Sequence, residues 1–85
     1  MNKLNTIQVN KMSSEIHNVL NEWIKKTVSI KLTNGNIVRG TLKGFDQQMN
    51  LILENSEYSV DNKTQSLGNV ILRAANIITV YQSLT

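Results

Sequence analysis

The chain reads as mainly β, with a short N-terminal α-helix followed by a strongly bent five-stranded antiparallel barrel. Two changes of pattern predict this. One apolar stripe at helical spacing ends at Ile24, and alternating apolar and polar residues take over after Lys26. Beyond that point, β-branched runs are separated by polar or glycine-bearing breaks.

Residues 1–12 are polar, with scattered apolar residues and no period, and are expected to form a flexible arm; residues 13–85 are expected to be one domain. Ser13 and Ser14 offer N-cap hydroxyls, and Glu15 suits the first turn of a helix. Ile16, Val19, Leu20, Trp23 and Ile24 then mark one face. Lys25 and Lys26 are placed to complement the negative end of the helix dipole. His17 lies beside the stripe, and with no second histidine and no cysteine its expected role is surface or packing.

Val28, Ile30 and Leu32 alternate with Ser29, Lys31 and Thr33, the pattern of a half-buried strand. Asn34-Gly35 predicts a hairpin with a type I′ turn. The next strand, from Asn36 to about Phe45, contains Gly40 and Gly44, which mark bends or bulges where the sheet curves. A third strand starts at Met49, runs to Glu54 and continues through Ser56 to Val60. Asp61 to Thr64 is a polar turn, Ser66 to Leu72 a fourth strand, and Ile77 to Tyr81 a fifth. No proline guards the edges, so pairing with another chain is the expected protection.

Composition narrows the functional classes. With 85 residues a single small core is expected, and with no cysteine neither disulfides nor thiolate metal sites can brace it. Nine Lys and Arg against six Asp and Glu give a charge of +3, compatible with a polyanionic partner, although charge alone favours simple solubility. No apolar run approaches the ~20 residues that span a membrane, and the first residues lack the apolar core of a secretory signal. One histidine, no cysteine and no paired carboxylates at helical spacing assemble no nucleophile–base set, so no enzymatic activity and no cofactor are expected.

Two polar breaks carry the remaining chemistry. Asp46 to Asn50 sets an acid, amides and Met49 between apolar runs, and Arg73-Ala74-Ala75-Asn76 sets a base and an amide between two more. Together they suggest one composite site. Taken singly, Asp46 serves equally as a turn cap, Asn50 as a turn residue and Arg73 as a surface charge. Phe45, Trp23 and Tyr81 are expected to pack rather than stack on bases.

The segment Val28 to Gly35, followed by Gly40-Thr-Leu-Lys-Gly-Phe-Asp-Gln-Gln-Met-Asn-Leu51, resembles the first signature of the Sm/Sm-like (LSm) family of RNA-binding ring proteins. Leu67-Gly68-Asn-Val-Ile-Leu-Arg73-Ala-Ala-Asn76-Ile-Ile resembles the second, departing from it in the loop. The likeness covers roughly residues 14 to 82 and looks more like the archaeal Sm-like type than a eukaryotic LSm subunit. It implies a ring, heptameric by preference, closed by pairing the fourth strand of one subunit with the fifth of the next. It also implies that both breaks meet at the inner pore rim and hold one nucleotide per subunit.

Carried over to this sequence, the resemblance gives Asn50 the edge of a flipped-out uracil and Arg73 a stacking and phosphate-facing role. Asp46 would fix the loop, and Met49 would pack at the core or rim. Gln48 replaces the usual histidine or aromatic that completes the stacking sandwich. Ala75 removes a polar group from the opposite wall, and Ala74 adds a Cβ where positive φ is expected. The implied function is binding of single-stranded, U-containing RNA, with Lys25, Lys26 and Lys31 drawing it to the helix-bearing face or standing as solvated charges. The rivals are an assembly subunit serving protein partners and a subunit of a hetero-ring. The expected compartment is the cytoplasm, or the nucleus in a eukaryote.

Overall fold

In a computed structural model of the chain, which describes residues 6–8 and 14–82, the helix α1 runs from Ser14–Glu22. Ser13, with residues 1–5 and 9–12 of the expected arm, lies outside the described residues. Leu20 and Trp23 are buried, with Ile16 and Ile24 partly buried against the same core, while Val19 stays at the solvent margin. The helix stops earlier than its stripe. Trp23 N–H donates to the Leu20 carbonyl at 2.9 Å and Lys26 N–H to that of Trp23 at 2.9 Å, and Lys25 turns left-handed at φ 72°. Lys25 and Lys26 therefore lie beyond the helix, which has no basic residue in its last turn; the expected dipole pairing is corrected. Their backbone serves another purpose. Lys25 N–H donates to the Leu42 carbonyl at 2.7 Å, and Leu42 N–H donates to that of Lys26 at 2.9 Å.

The alternating segments form the expected strands. We label them β2 (Thr27–Leu32), β3 (Ile37–Phe45), β4 (Leu51–Val60), β5 (Lys63–Leu72) and β6 (Ile77–Gln82), reserving β1 for Thr6–Gln8. The sheet is antiparallel, in the order β1-β6-β2-β3-β4-β5. Val28, Ile30, Val38, Leu42, Leu51, Leu53, Ile77 and Val80 point inward and join Leu20, Trp23 and Met49 in one core. Full burial of a Val, Leu or Ile side chain stabilises by about 1.5–3 kcal/mol, so this cluster is the main source of stability.

The turns are distributed differently from the sequence-based expectation. At Asn34-Gly35 only the glycine has positive φ, at 90°; Gly35 N–H donates to the Leu32 carbonyl and Leu32 N–H to that of Asn36, both at 2.9 Å. This is a three-residue loop with a left-handed glycine, not a type I′ turn. The two-residue turn with both φ positive is Asp61-Asn62, at 50° and 65°, between the paired Val60 and Lys63. Strand β5 consequently starts at Lys63, before the predicted Ser66, and β4 starts at Leu51, after the predicted Met49.

Curvature comes from local slips in register. The β3–β4 pairing shifts between Arg39 and Thr41 and again between Leu42 and Gly44, at the two glycines. Gly40 permits close approach: a Cβ there would meet the Glu54 carbonyl oxygen and the Ser56 Cα and Cβ at 3.0 Å. On β4, Asn55 is left-handed at φ 52°, and pairing with β5 shifts between Leu53 and Ser56. Ser56 is fully buried there, and its hydroxyl donates to the Gly68 carbonyl at 2.7 Å. A buried hydroxyl satisfied in this way avoids a desolvation penalty of about 1–3 kcal/mol.

The arm contains the chief departure from expectation. Thr6–Gln8 forms β1, paired antiparallel with β6 through Thr6↔Tyr81, Ile7↔Val80 and Gln8↔Thr79. Within one chain, that edge of β6 is covered by the N-terminal segment.

Candidate nucleic-acid interface

The residues between β3 and β4 fold around the Asp46 carboxylate. Its Oδ1 accepts the N–H of Gln48 at 2.9 Å and that of Asn50 at 3.0 Å. Side-chain capture of the N–H two residues ahead is the habit that makes aspartate a turn former. Met49 N–H donates to the Asp46 carbonyl at 3.0 Å, and Asp46 N–H donates to that of Asn50 at 3.2 Å, closing the loop at its base. Met49 adopts φ 68°, and its side chain is 1% exposed. It belongs to the core. Packing, rather than contact with a ligand, is the role expected of it.

Asn50 joins this loop to the other polar break. Its Nδ2 donates to Asp46 Oδ2 at 2.9 Å, and its Oδ1 accepts the backbone N–H of Ala74 at 2.9 Å. The second contact lies at the start of a 3-10 turn, Ala74–Asn76, preceded by an extended Arg73 at φ −77° and ψ 136°. The first N–H groups of such a turn have no partner within it, so a side-chain oxygen is needed. Asn50 supplies that oxygen, and both of its amide atoms are thereby fixed.

No positive φ is found at Ala74, so the strain expected of its Cβ is absent and the departure from glycine is accommodated by the 3-10 turn. Ala74 is half-buried against the core, while Arg73 and Ala75 are exposed. Gln48 is exposed, with Oε1 3.5 Å from Asn50 Nδ2. The loops thus bring Asp46, Gln48, Asn50, Arg73 and Ala75 to one surface and turn Met49 inward. The partner that sequence reasoning missed is the Ala74 N–H, a backbone group carrying no residue-type signal.

The electrostatics follow from this geometry. Hydrogen bonds from the Asn50 amide and then its backbone N–H hold the Asp46 carboxyl below its ordinary range, helped by Gln48 N–H and the charge of Arg73 and opposed by partial desolvation. Asp46 is therefore an ionised acceptor whose oxygens are turned to internal donors. Among the described residues, no group of three or more His, Cys, Asp or Glu is placed to hold a metal ion.

A small, bent antiparallel sheet with a helix at its N-terminal side and a two-loop polar site defines the class. Residues 18–82 match the LSM domain family, and the chain belongs to it. It is 39% identical over 61 residues to a probable small nuclear ribonucleoprotein G of Arabidopsis thaliana, covering 72% of this chain and 76% of the relative. A putative snRNP Sm-like protein of Methanococcoides burtonii is 32% identical over 63 residues, covering 73% and 88%. Among solved structures, the P. aerophilum SmAP1 heptamer superposes with TM-score 0.81 at 28% identity, covering 87% of this chain and 100% of that one. A Pyrococcus abyssii Sm protein in complex with a uridine heptamer gives 0.74 at 25% identity, covering 78% and 94%. A chain of the NatC complex bound to CoA gives 0.72 at 28% identity, covering 75% and 83%.

Proposed function

We propose that this chain assembles into a ring, heptameric by preference, and binds single-stranded, U-containing RNA at the inner pore rim. Its sphere of action is RNA processing, turnover or chaperoning, and its role is binding rather than catalysis. The observation that carries the reading is the Asn50–Ala74 contact, which holds an amide and the adjoining Arg73 in one surface site. Two solved relatives support it: one is a heptamer and one holds a uridine heptamer. Repetition around a ring turns several weak pockets into one avid site. Exposed Leu67 and Ile71 on β5 supply apolar surface for association.

A second reading follows from Gln48 and Ala75, which thin the pocket, and from the likeness to a chain of the NatC complex. It makes the chain an assembly subunit serving protein partners or completing a hetero-ring. Fluorescence titration with oligo-U, oligo-A and oligo-C separates the two. Saturable, salt-sensitive oligo-U binding that disappears in Asn50→Ala supports the RNA pocket. No saturable binding at low salt rejects it in favour of the assembly reading. Native mass spectrometry of the protein alone tells a homo-ring from a hetero-ring subunit.

A further inference from the structure

We propose that β1 competes for the sheet edge through which copies of this chain associate, and so sets the concentration at which rings form; this rests on the ring reading above. Strand β6 lies between β2 on one side and β1 on the other, and β1 engages Thr79, Val80 and Tyr81. At the opposite end of the sheet, β5 has no strand on its outer side among the described residues. Ring closure between β5 of one copy and β6 of the next needs the β6 edge that β1 occupies. The two pairings exclude each other along Thr79 to Tyr81.

The contest is balanced by length and tether. Strand β1 has three residues whereas β5 has ten, so a neighbour offers the longer ladder. Only residues 9–13 separate β1 from α1, and a short tether gives the internal strand an effective concentration on the order of millimolar. Dilute chains keep their own arm on β6. Concentrated chains, or chains gathered along a shared ligand, exchange it for a neighbour. The arm thereby also covers an edge that would otherwise template unspecific strand pairing.

The test uses the full chain, which has no cysteine of its own. Gln8→Cys with Thr79→Cys places a thiol pair at a matched register position. Antiparallel partners have Cα atoms about 4.5–5.5 Å apart, within disulfide range. Sedimentation velocity over a concentration series is expected to show the oxidised protein as a monomer where the reduced protein is a ring. Ile7→Pro, which removes an N–H from the middle of β1, is expected to assemble at about ten-fold lower concentration than the parent, equivalent to one or two net backbone hydrogen bonds. The proposal is overturned if the intramolecular disulfide does not form, if the locked chain assembles as readily as the reduced one, or if Ile7→Pro matches the parent. Rings that form regardless of the lock leave the ring reading standing and remove only this inference. A parent, reduced double variant and Ile7→Pro that all stay monomeric at every concentration remove both.

Discussion

Asn50 Oδ1 accepts the backbone N–H of Ala74 at 2.9 Å, joining loops 24 residues apart in sequence. That bond makes the candidate site one object rather than two neighbouring turns. Asn50→Ala leaves the half-buried Ala74 N–H without its acceptor and the Asp46 carboxylate without its side-chain donor. The expected loss is about 1–3 kcal/mol of stability. Urea denaturation should show it as a lower midpoint with an unchanged slope, alongside the loss of oligo-U binding.

Asp46 gives the loop a defined acid response. Its folded-state pKa is depressed below the ordinary 3.8, so the unfolded chain takes up the proton first as pH falls. Its stabilising contribution is fully present above pH 3.8 and is lost as pH falls through the folded value. Asp46→Asn is expected to be less stable than the parent at pH 7, with the gap narrowing below pH 3.8. Thermal midpoints measured from pH 7 to pH 2.5 check this; a gap constant with pH would assign the loss to shape instead of charge.

The two strand glycines should respond differently to a methyl group. Gly40→Ala places a Cβ 3.0 Å from backbone atoms of Glu54 and Ser56, and about 1–3 kcal/mol of destabilisation is expected. Gly44→Ala meets nothing closer than Ile52 Cδ1 at 4.0 Å, and is expected to be neutral or stabilising by up to about 1 kcal/mol. Paired urea titrations give the comparison directly.

The Asp61-Asn62 turn predicts a gain. Both residues hold positive φ, which glycine adopts without a Cβ penalty. Asn62→Gly is expected to stabilise by a few tenths of a kcal/mol, and Asn62→Val to destabilise by about 1–2 kcal/mol. A shift in thermal midpoint of about 4–8 °C per kcal/mol makes the larger change easy to read.

At Gln48 the expected change is in affinity rather than stability, because the side chain is exposed. Gln48→Tyr adds an aromatic face beside Asn50. If RNA occupies this surface, oligo-U should bind tighter by about 1–3 kcal/mol per stacked base, with little change in the urea midpoint. Equal affinities for the parent and Gln48→Tyr would place the bases elsewhere.

The helix and the five strands after it were legible because their apolar residues repeat at the period of each element. Val28 and Ile30 inward with Lys31 outward, or Leu51 and Leu53 inward with Ile52 outward, leave little ambiguity. The turn types were less so. Asn-Gly has the higher type I′ propensity, yet Asp61-Asn62 adopts that geometry, since strand register and not dipeptide preference fixes where two residues must reverse the chain. Strand β1 had no readable period because three residues hold too little pattern. In the site, the side-chain partners Asp46 and Asn50 could be anticipated, whereas the Ala74 N–H could not, since any non-proline residue offers the same donor.

Met49 gives the site loop a division of labour. One residue of the loop is sunk in the core, the exposed Asp46 and the half-buried Asn50 hold each other, and Gln47 and Gln48 present exposed side chains outside that pair. Changes at those two positions can alter what the surface meets while the scaffold stands unchanged. If RNA occupies this surface, its recognition can be retuned by sequence drift at two glutamines without reopening the question of how the chain folds.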